Sequence, residues 1–401
     1  VIPLAAPANL DVYMESSAAL HDLPPVTPAF VQAPAVPSSG RAETTAALVK
    51  AGRYLEAHRY EEALETLGSV NVPSTSAPDL ALRVLHTETW ARLYLGDVAK
   101  ADSIAERARA LSEGATYSDL ERGESLFRLG CCRLKLSRVT NAVSLFTLAL
   151  RLSEHGGIEG DRLRAQTFEW RSRCYQLQRE WEAAESDAHS AVELAQQIGD
   201  GRLEALALMQ CSLVTERRGD PLLARFYAER ARALASDNGD RQTEARIINN
   251  LGGLSYLLGE PQVAVAYLKE AFALSLEIGN DADAAQAVSS LAQVHLRCGA
   301  PQLAEEQARH ALSILDDRAD YVDERGNVHL VLGRALLDQE REDDAMKEFA
   351  AAEWLFESLG STSHVAAAWM AQGDLYSRKG DFEAATALYR RAAEALQDFN
   401  F

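Results

Sequence analysis

Asn249 and Asn250 stand side by side at the head of NNLGGLSYLLGEPQVAVAYLKEAFALSLEIGN, residues 249–280. A side-chain amide both donates and accepts, so such a pair on a helix can grip the backbone of an extended peptide whatever its side chains. Bond-making constellations are absent by contrast. No Gly is followed by Lys, which excludes a Walker A loop. The glycines of HGGIEGD (155–161) follow a helical pattern, not a strand, and read as a loop between repeats. None of the nine histidines has a second one at i, i+4, and neither H-E-x-x-H nor G-x-S-x-G occurs. His295 reads as a packing residue. Asp316-Asp317 and Asp343-Asp344 fall at turns, where carboxylates cap helices and stay solvated. The five cysteines (Cys131, Cys132, Cys174, Cys211, Cys298) form no C-x-x-C pair and read as buried or half-buried reduced thiols. The expectation is a chain that is not an enzyme and holds no metal or cofactor.

The formal net charge of −19 argues against nucleic-acid binding by this segment, since phosphates repel it. No apolar run is long enough to cross a bilayer, and no basic stretch precedes an apolar core as in a secretory signal. A cytoplasmic setting is the expectation. Seven of the twelve prolines lie in residues 1–40, where they favour extended chain. Residues 1–42 are expected to be a leader, either without fixed structure or lying as a strap along the rest through Tyr13, Leu20, Phe30 and Val31.

The elements that position the amides come from a repeat. The alanine after each short turn recurs as Ala63, Ala101, Ala142, Ala184, Ala224, Ala264, Ala304, Ala345 and Ala385, at intervals of 38 to 42. A second alanine follows seven residues later in eight of the nine, with Val70 in the first. Small residues two turns apart let a neighbouring helix approach closely. Gly219-Asp220-Pro221, Gly259-Glu260-Pro261 and Gly299-Ala300-Pro301 are three copies of one corner: glycine ends a helix in the left-handed conformation and proline suits the first turn of the next. Gly199, Gly239, Gly279 and Gly360 close the second helix of their repeats. Each repeat is helix, tight turn, helix, longer turn, and nine of them fill residues 43–397, leaving 398–401 as a tail.

FRLGCCRLKLSRVTNAVSLFTLALRL and WMAQGDLYSRKGDFEAATALYRRAAEAL carry a small residue in the first helix (Gly130, Gly373), the turn, the alanine and a bulky residue four later (Phe146, Tyr389). This pattern resembles the tetratricopeptide repeat, with about 40 residues in place of 34, as in kinesin light chains and bacterial peptide-sensing regulators. The second repeat departs from it, with Thr89 at the small position. The resemblance implies an all-α, right-handed superhelical solenoid whose first helices form a concave wall. The C-terminal third also resembles the sensor half of bacterial regulators that join a helix-turn-helix to such repeats. That implies transcriptional control, with the DNA-binding part outside this chain or missing from a repeat-only relative, because residues 1–40 hold no helix-turn-helix.

The resemblance places certain first-helix positions on the inner wall. The sixth repeat offers Arg246, Asn249, Asn250, Gly253, Tyr256 and Leu257, and the seventh Gln286, Ser289, Ser290, Gln293 and Arg297. Arg128, Lys135, Trp170, Arg173, Gln210 and Arg217 come from repeats three to five, and Asn327, Arg334, Asp374 and Arg378 from the last two. Over these positions in repeats two to nine, nine bases face five acids, a balance of 9 − 5 = +4 within a chain of −19. Such a wall favours a peptide or protein segment with acidic side chains or a free carboxylate. The alternative reading is an assembly or adaptor protein that forms a homo-oligomer through its ends or convex face, with Phe399 and Phe401 packing into a dimer partner.

Overall fold

The computed structural model describes residues 39–56, 59–69, 77–315, 321–359 and 362–397. The leader up to residue 38, Val70, Asp316-Asp317, Gly360 and the tail 398–401 lie outside these. The described residues form eighteen helices and no strand. In chain order they are α1 (Ser39–Glu56), α2 (Tyr60–Gly68), α3 (Pro78–Tyr94), α4 (Val98–Ser112), α5 (Asp119–Lys135), α6 (Val139–Leu152), α7 (Gly157–Leu177), α8 (Trp181–Ile198) and α9 (Gly201–Arg217). There follow α10 (Pro221–Asp237), α11 (Arg241–Leu257), α12 (Pro261–Glu277), α13 (Asp281–Arg297), α14 (Pro301–Leu315), α15 (Val322–Leu337), α16 (Glu342–Leu359), α17 (Thr362–Arg378) and α18 (Phe382–Gln397). The chain divides into two compact bodies, with the boundary between Val214 and Thr215, inside α9. Among the described residues, no helix is long and apolar enough to cross a membrane.

In the N-terminal body α1 pairs with α2, α3 with α4, α5 with α6 and α7 with α8, and first helices also meet, α3 with α5 and α5 with α7. The C-terminal body repeats the scheme: α11 pairs with α12, α13 with α14, α15 with α16 and α17 with α18, while α11 meets α13, α13 meets α15 and α15 meets α17. Each body is thus an all-α array of helical hairpins of solenoid type.

The alanine ladder is the seam of this packing. All nine turn-following alanines are at most 2% exposed, as are the described members of the second set. Opposite them the first helix supplies little volume where the second supplies much. A Cβ on Gly130 would stand 2.5 Å from the Phe146 ring, on Gly333 2.4 Å from Phe349, and on Gly373 2.7 Å from Tyr389. Where the second helix is small the first is larger: fully buried Thr89 stands sixteen residues before Ala105, and Ser172 sixteen before Ala188. The departure in the second repeat is therefore a redistribution of volume within the pair.

Each hairpin corner from the second repeat on holds one residue in the left-handed region. Glycine takes it at Gly96, Gly219, Gly259, Gly299 and Gly380, but Ser137, Arg179 and Glu340 occupy it in repeats three, four and eight, with φ of 59°, 58° and 61°. The bonding is the same either way: Gly259 N–H donates to Tyr256 and Glu260 N–H to Ser255, as Arg179 N–H donates to Gln176 and Glu180 N–H to Tyr175. One stretch differs from the sequence reading. The glycines at 155–161, read as a loop, open α7, which starts at Gly157. Gly160 is required there because a Cβ would lie 2.4 Å from the Ser153 carbonyl oxygen.

Candidate functional site

In the N-terminal body the wall positions converge on a filled interior. Trp90 of α3, Phe127 of α5 and Trp170 of α7 meet with ring centroids 5.9 to 6.4 Å apart, and all three are buried. Arg128 lies over the Trp90 ring and Arg173 over Trp170. Arg173 is paired at 2.6 Å with Glu169, and both are buried. Burial pushes the Glu169 carboxyl up, against the pull of Arg173. Gln210 has no exposed surface and donates from Nε2 to Ser172 Oγ. Arg128, Trp170, Arg173 and Gln210 are thus placed within the packing. Beside them is a polar cluster that the sequence reading did not find: His86 Nε2 lies 2.8 Å from Ser125 Oγ, and His86 Nδ1 lies 3.4 Å from Glu124. Burial, then Arg128, lowers the His86 imidazole to about 4. Burial would raise Glu124, but Arg128, His86 and Arg83 outweigh it and hold the carboxyl at about 2. Ser125 is fully buried and also donates to the Glu121 carbonyl, which leaves no path for a substrate to this Ser–His–Glu arrangement.

In the C-terminal body most wall positions stay accessible, although Arg246 and Ser289 are buried. On α11, Asn249, Asn250 and Tyr256 are half-buried and Gly253 and Leu257 exposed, while Ile248, Leu251 and Leu254 on the opposite side are fully buried. On α13, Gln286, Ser290 and Gln293 are half-buried, and on α15 Asn327 and Arg334 are. The three helices pack side by side, α13 in the middle. Among the described residues, the side chains of Asn249, Asn250, Gln286, Ser290, Gln293 and Asn327 make no hydrogen bond, and Asn249 Oδ1 is buried without a donor. Leaving such an atom unsatisfied costs about 1–3 kcal/mol.

The bases of the wall are engaged within the protein. Arg246 Nε donates to Asp283 at 3.0 Å, and Asp283 is further held by Asn280. Arg378 pairs with Asp338 at 2.8 Å, and Arg297 lies over the Tyr256 ring. Arg83, Lys135, Arg217 and Arg334 also make interactions inside the protein. The positive balance counted from the sequence therefore leaves neutral amides, rather than cations, as the unengaged groups of the stripe. Cys131, Cys132, Cys174 and Cys211 are buried, and burial raises their thiols, whereas Cys298 is exposed.

The tetratricopeptide-repeat family profile matches residues 366–395. No curated protein matches the chain. Solved structures of similar fold include a Rap protein complexed with competence and sporulation factor, with a TM-score of 0.61, 16% identity, and 89% of this chain and 99% of that one covered. The Rap conjugation gene regulator of plasmid pLS20 in complex with the Phr* peptide gives 0.57 and 16%, covering 90% and 95%. Aspartyl phosphate phosphatase F from Bacillus subtilis gives 0.55 and 15%, covering 91% and 96%. At these identities the likeness is one of fold: this chain has the architecture of a tetratricopeptide-repeat protein.

Proposed function

We propose that the chain is a non-enzymatic recognition scaffold that binds an extended peptide or protein segment along the first helices of its C-terminal body. The observation carrying this reading is the set of half-buried amides and a hydroxyl on α11, α13 and α15 that have no partner among the described residues. Neutral donors and acceptors of this kind match the alternating N–H and C=O groups of an extended backbone. Recognition through them depends little on ligand charge, so the affinity is expected to change less than about threefold between low and high salt. An acidic side chain or free carboxylate on the ligand would have to compete with Asp283 for Arg246. The Rap regulator of similar fold is in complex with a peptide. By analogy we assign this chain to the sensing part of a regulator, acting in the cytoplasm and without direct contact to nucleic acid.

The test uses a photoreactive benzoylphenylalanine at Gly253, a position with no heavy atom within 4 Å of an added Cβ. Cross-linking in cell extract followed by mass spectrometry should capture a peptide at position 253 and not at exposed Glu306 on α14. Asn249→Ala with Asn250→Ala should abolish the capture. Equal labelling at both positions, or labelling insensitive to the asparagines, refutes the site.

A further inference from the structure

We infer that a second copy of this chain docks on the outward face of α10 and α12 in the C-terminal body, forming a twofold dimer. Phe226 of α10 is 58% exposed and Leu222, one turn before it, 64%. Ala233 continues the same exposed side two turns later. Single exposed apolar residues are ordinary, but a run of them along one helix marks an interaction face. On α12 the positions forty residues after Leu223, Phe226 and Ala233 hold Val263, Ala266 and Ala273, all exposed. At the level of Phe226 the next second helix, α14, carries exposed Glu306, so the apolar face ends there. Two ion pairs tie α10 to α12: Arg225 with Glu260 at 2.6 Å near their starts, and Arg232 with Glu270 further along. The face is therefore a fixed platform of two parallel helices, bulky on α10 and low on α12. It includes none of the amides of the α11–α13–α15 stripe.

The period of the array and the charges on the face select a second copy as the occupant. A twofold axis running along the two helices, midway between them, lays each α10 on the partner's α12 in the same direction. Every residue of α10 then stands level with the partner residue forty positions later. Phe226 meets the partner's Ala266, a ring against a methyl group, and Ala233 meets the partner's Ala273. A bulky aromatic seated on a low surface is the usual anchor of an interface. Charge agrees with shape. Glu229 and Lys269 are exposed, make no ion pair among the described residues, and stand forty residues apart with opposite sign. The axis brings Glu229 within reach of the partner's Lys269, and Lys269 within reach of the partner's Glu229. Arg230 and Glu270, beside them, are also of opposite sign, so the charges meeting at this level sum to zero.

Sedimentation velocity of the full chain tests this. The unaltered chain should dimerise in the micromolar range, and Phe226→Asp, at an exposed position, should leave it monomeric with unchanged helix content. Glu229→Lys and Lys269→Glu should each weaken self-association at least tenfold, because each sets like charges against one another twice. Mixed in equal amounts, these two variants should pair with one another at least tenfold more tightly than either does with itself. In the mixed dimer one chain presents two lysines and its partner two glutamates, so both contacts are restored. A chain that stays monomeric up to about 100 μM overturns the inference, as does a dimer that all three substitutions leave intact. Failure of the two charge variants to pair with one another overturns it too, since a contact with a different partner or through another face gives no such rescue. Capture of a peptide at position 253 is read separately, so either proposal can fail without the other.

Discussion

Gly333→Ala tests the packing rule on which the whole array depends. Alanine is the better helix former by about 1 kcal/mol, so on propensity alone the substitution should stabilise α15. The site predicts the opposite. The added Cβ would lie 2.4 Å and 2.6 Å from two ring atoms of Phe349 and 3.1 Å from a third. Phe349 is fully buried, so its ring cannot yield toward solvent. Over-packing of a closed core costs about 1–3 kcal/mol, and contacts this short on a confined ring put the cost at the upper end. The net expectation is a loss of about 2 kcal/mol after the propensity gain. Gly253→Ala supplies the control: another mid-helix glycine, exposed, with nothing within 4 Å, which should gain about 0.5–1 kcal/mol. Because hairpin arrays unfold in parts, the assay is hydrogen exchange of the α15 and α16 amides together with urea unfolding followed through Trp354 and Trp369. Phe349→Leu in the Gly333→Ala background should recover part of the loss. If Gly333→Ala protects α15 as Gly253→Ala protects α11, the pairing of a small residue with a bulky one is not what sets the hairpin contact.

Ser137, Arg179 and Glu340 hold a backbone conformation that costs an L-residue about 1–2 kcal/mol, part of which glycine returns through greater freedom when unfolded. Glycine at each should raise stability by about 0.5–1 kcal/mol, and Gly259→Ala should lower it similarly, read from unfolding midpoints. His86 is a base held below its ordinary value of 6.5, at about 4, so its contribution is complete above pH 6.5 and lost as pH falls toward 4. The gap corresponds to about 3 kcal/mol, and His86→Asn should flatten the pH dependence of unfolding across that window; an unchanged slope refutes the assignment. Asp187 receives two bonds from Arg171 at 2.7 and 2.9 Å with both side chains largely buried, so Asp187→Ala should destabilise the α7–α8 hairpin by about 3–5 kcal/mol, visible as lost exchange protection there.

The hairpin array was readable because its seam is built from residue types that mean one thing. An alanine recurring every forty residues after a turn has a packing role, and each member of that ladder is buried. The corners were readable only where glycine marks them. Arg179 and Glu340 carry no such mark, because the bonds across the corner and the packing of the two helices impose the conformation whatever residue arrives. The repeat assigned each wall residue to a helix but not its exposure. Periodicity placed Trp170 and Asn250 on the same wall, yet Trp170 is sealed by Phe127 of the preceding repeat and Trp90 of the one before that, while Asn250 stays accessible. Wall charges were misjudged for the same reason. Arg246 meets Asp283 and Arg378 meets Asp338 across about one repeat length, a separation at which no local pattern announces a partner. Several wall residues have decisive neighbours one or two repeats away. Which wall groups remain available to a ligand is therefore fixed by pairs of repeats, and a count made one repeat at a time overstates the charge on offer.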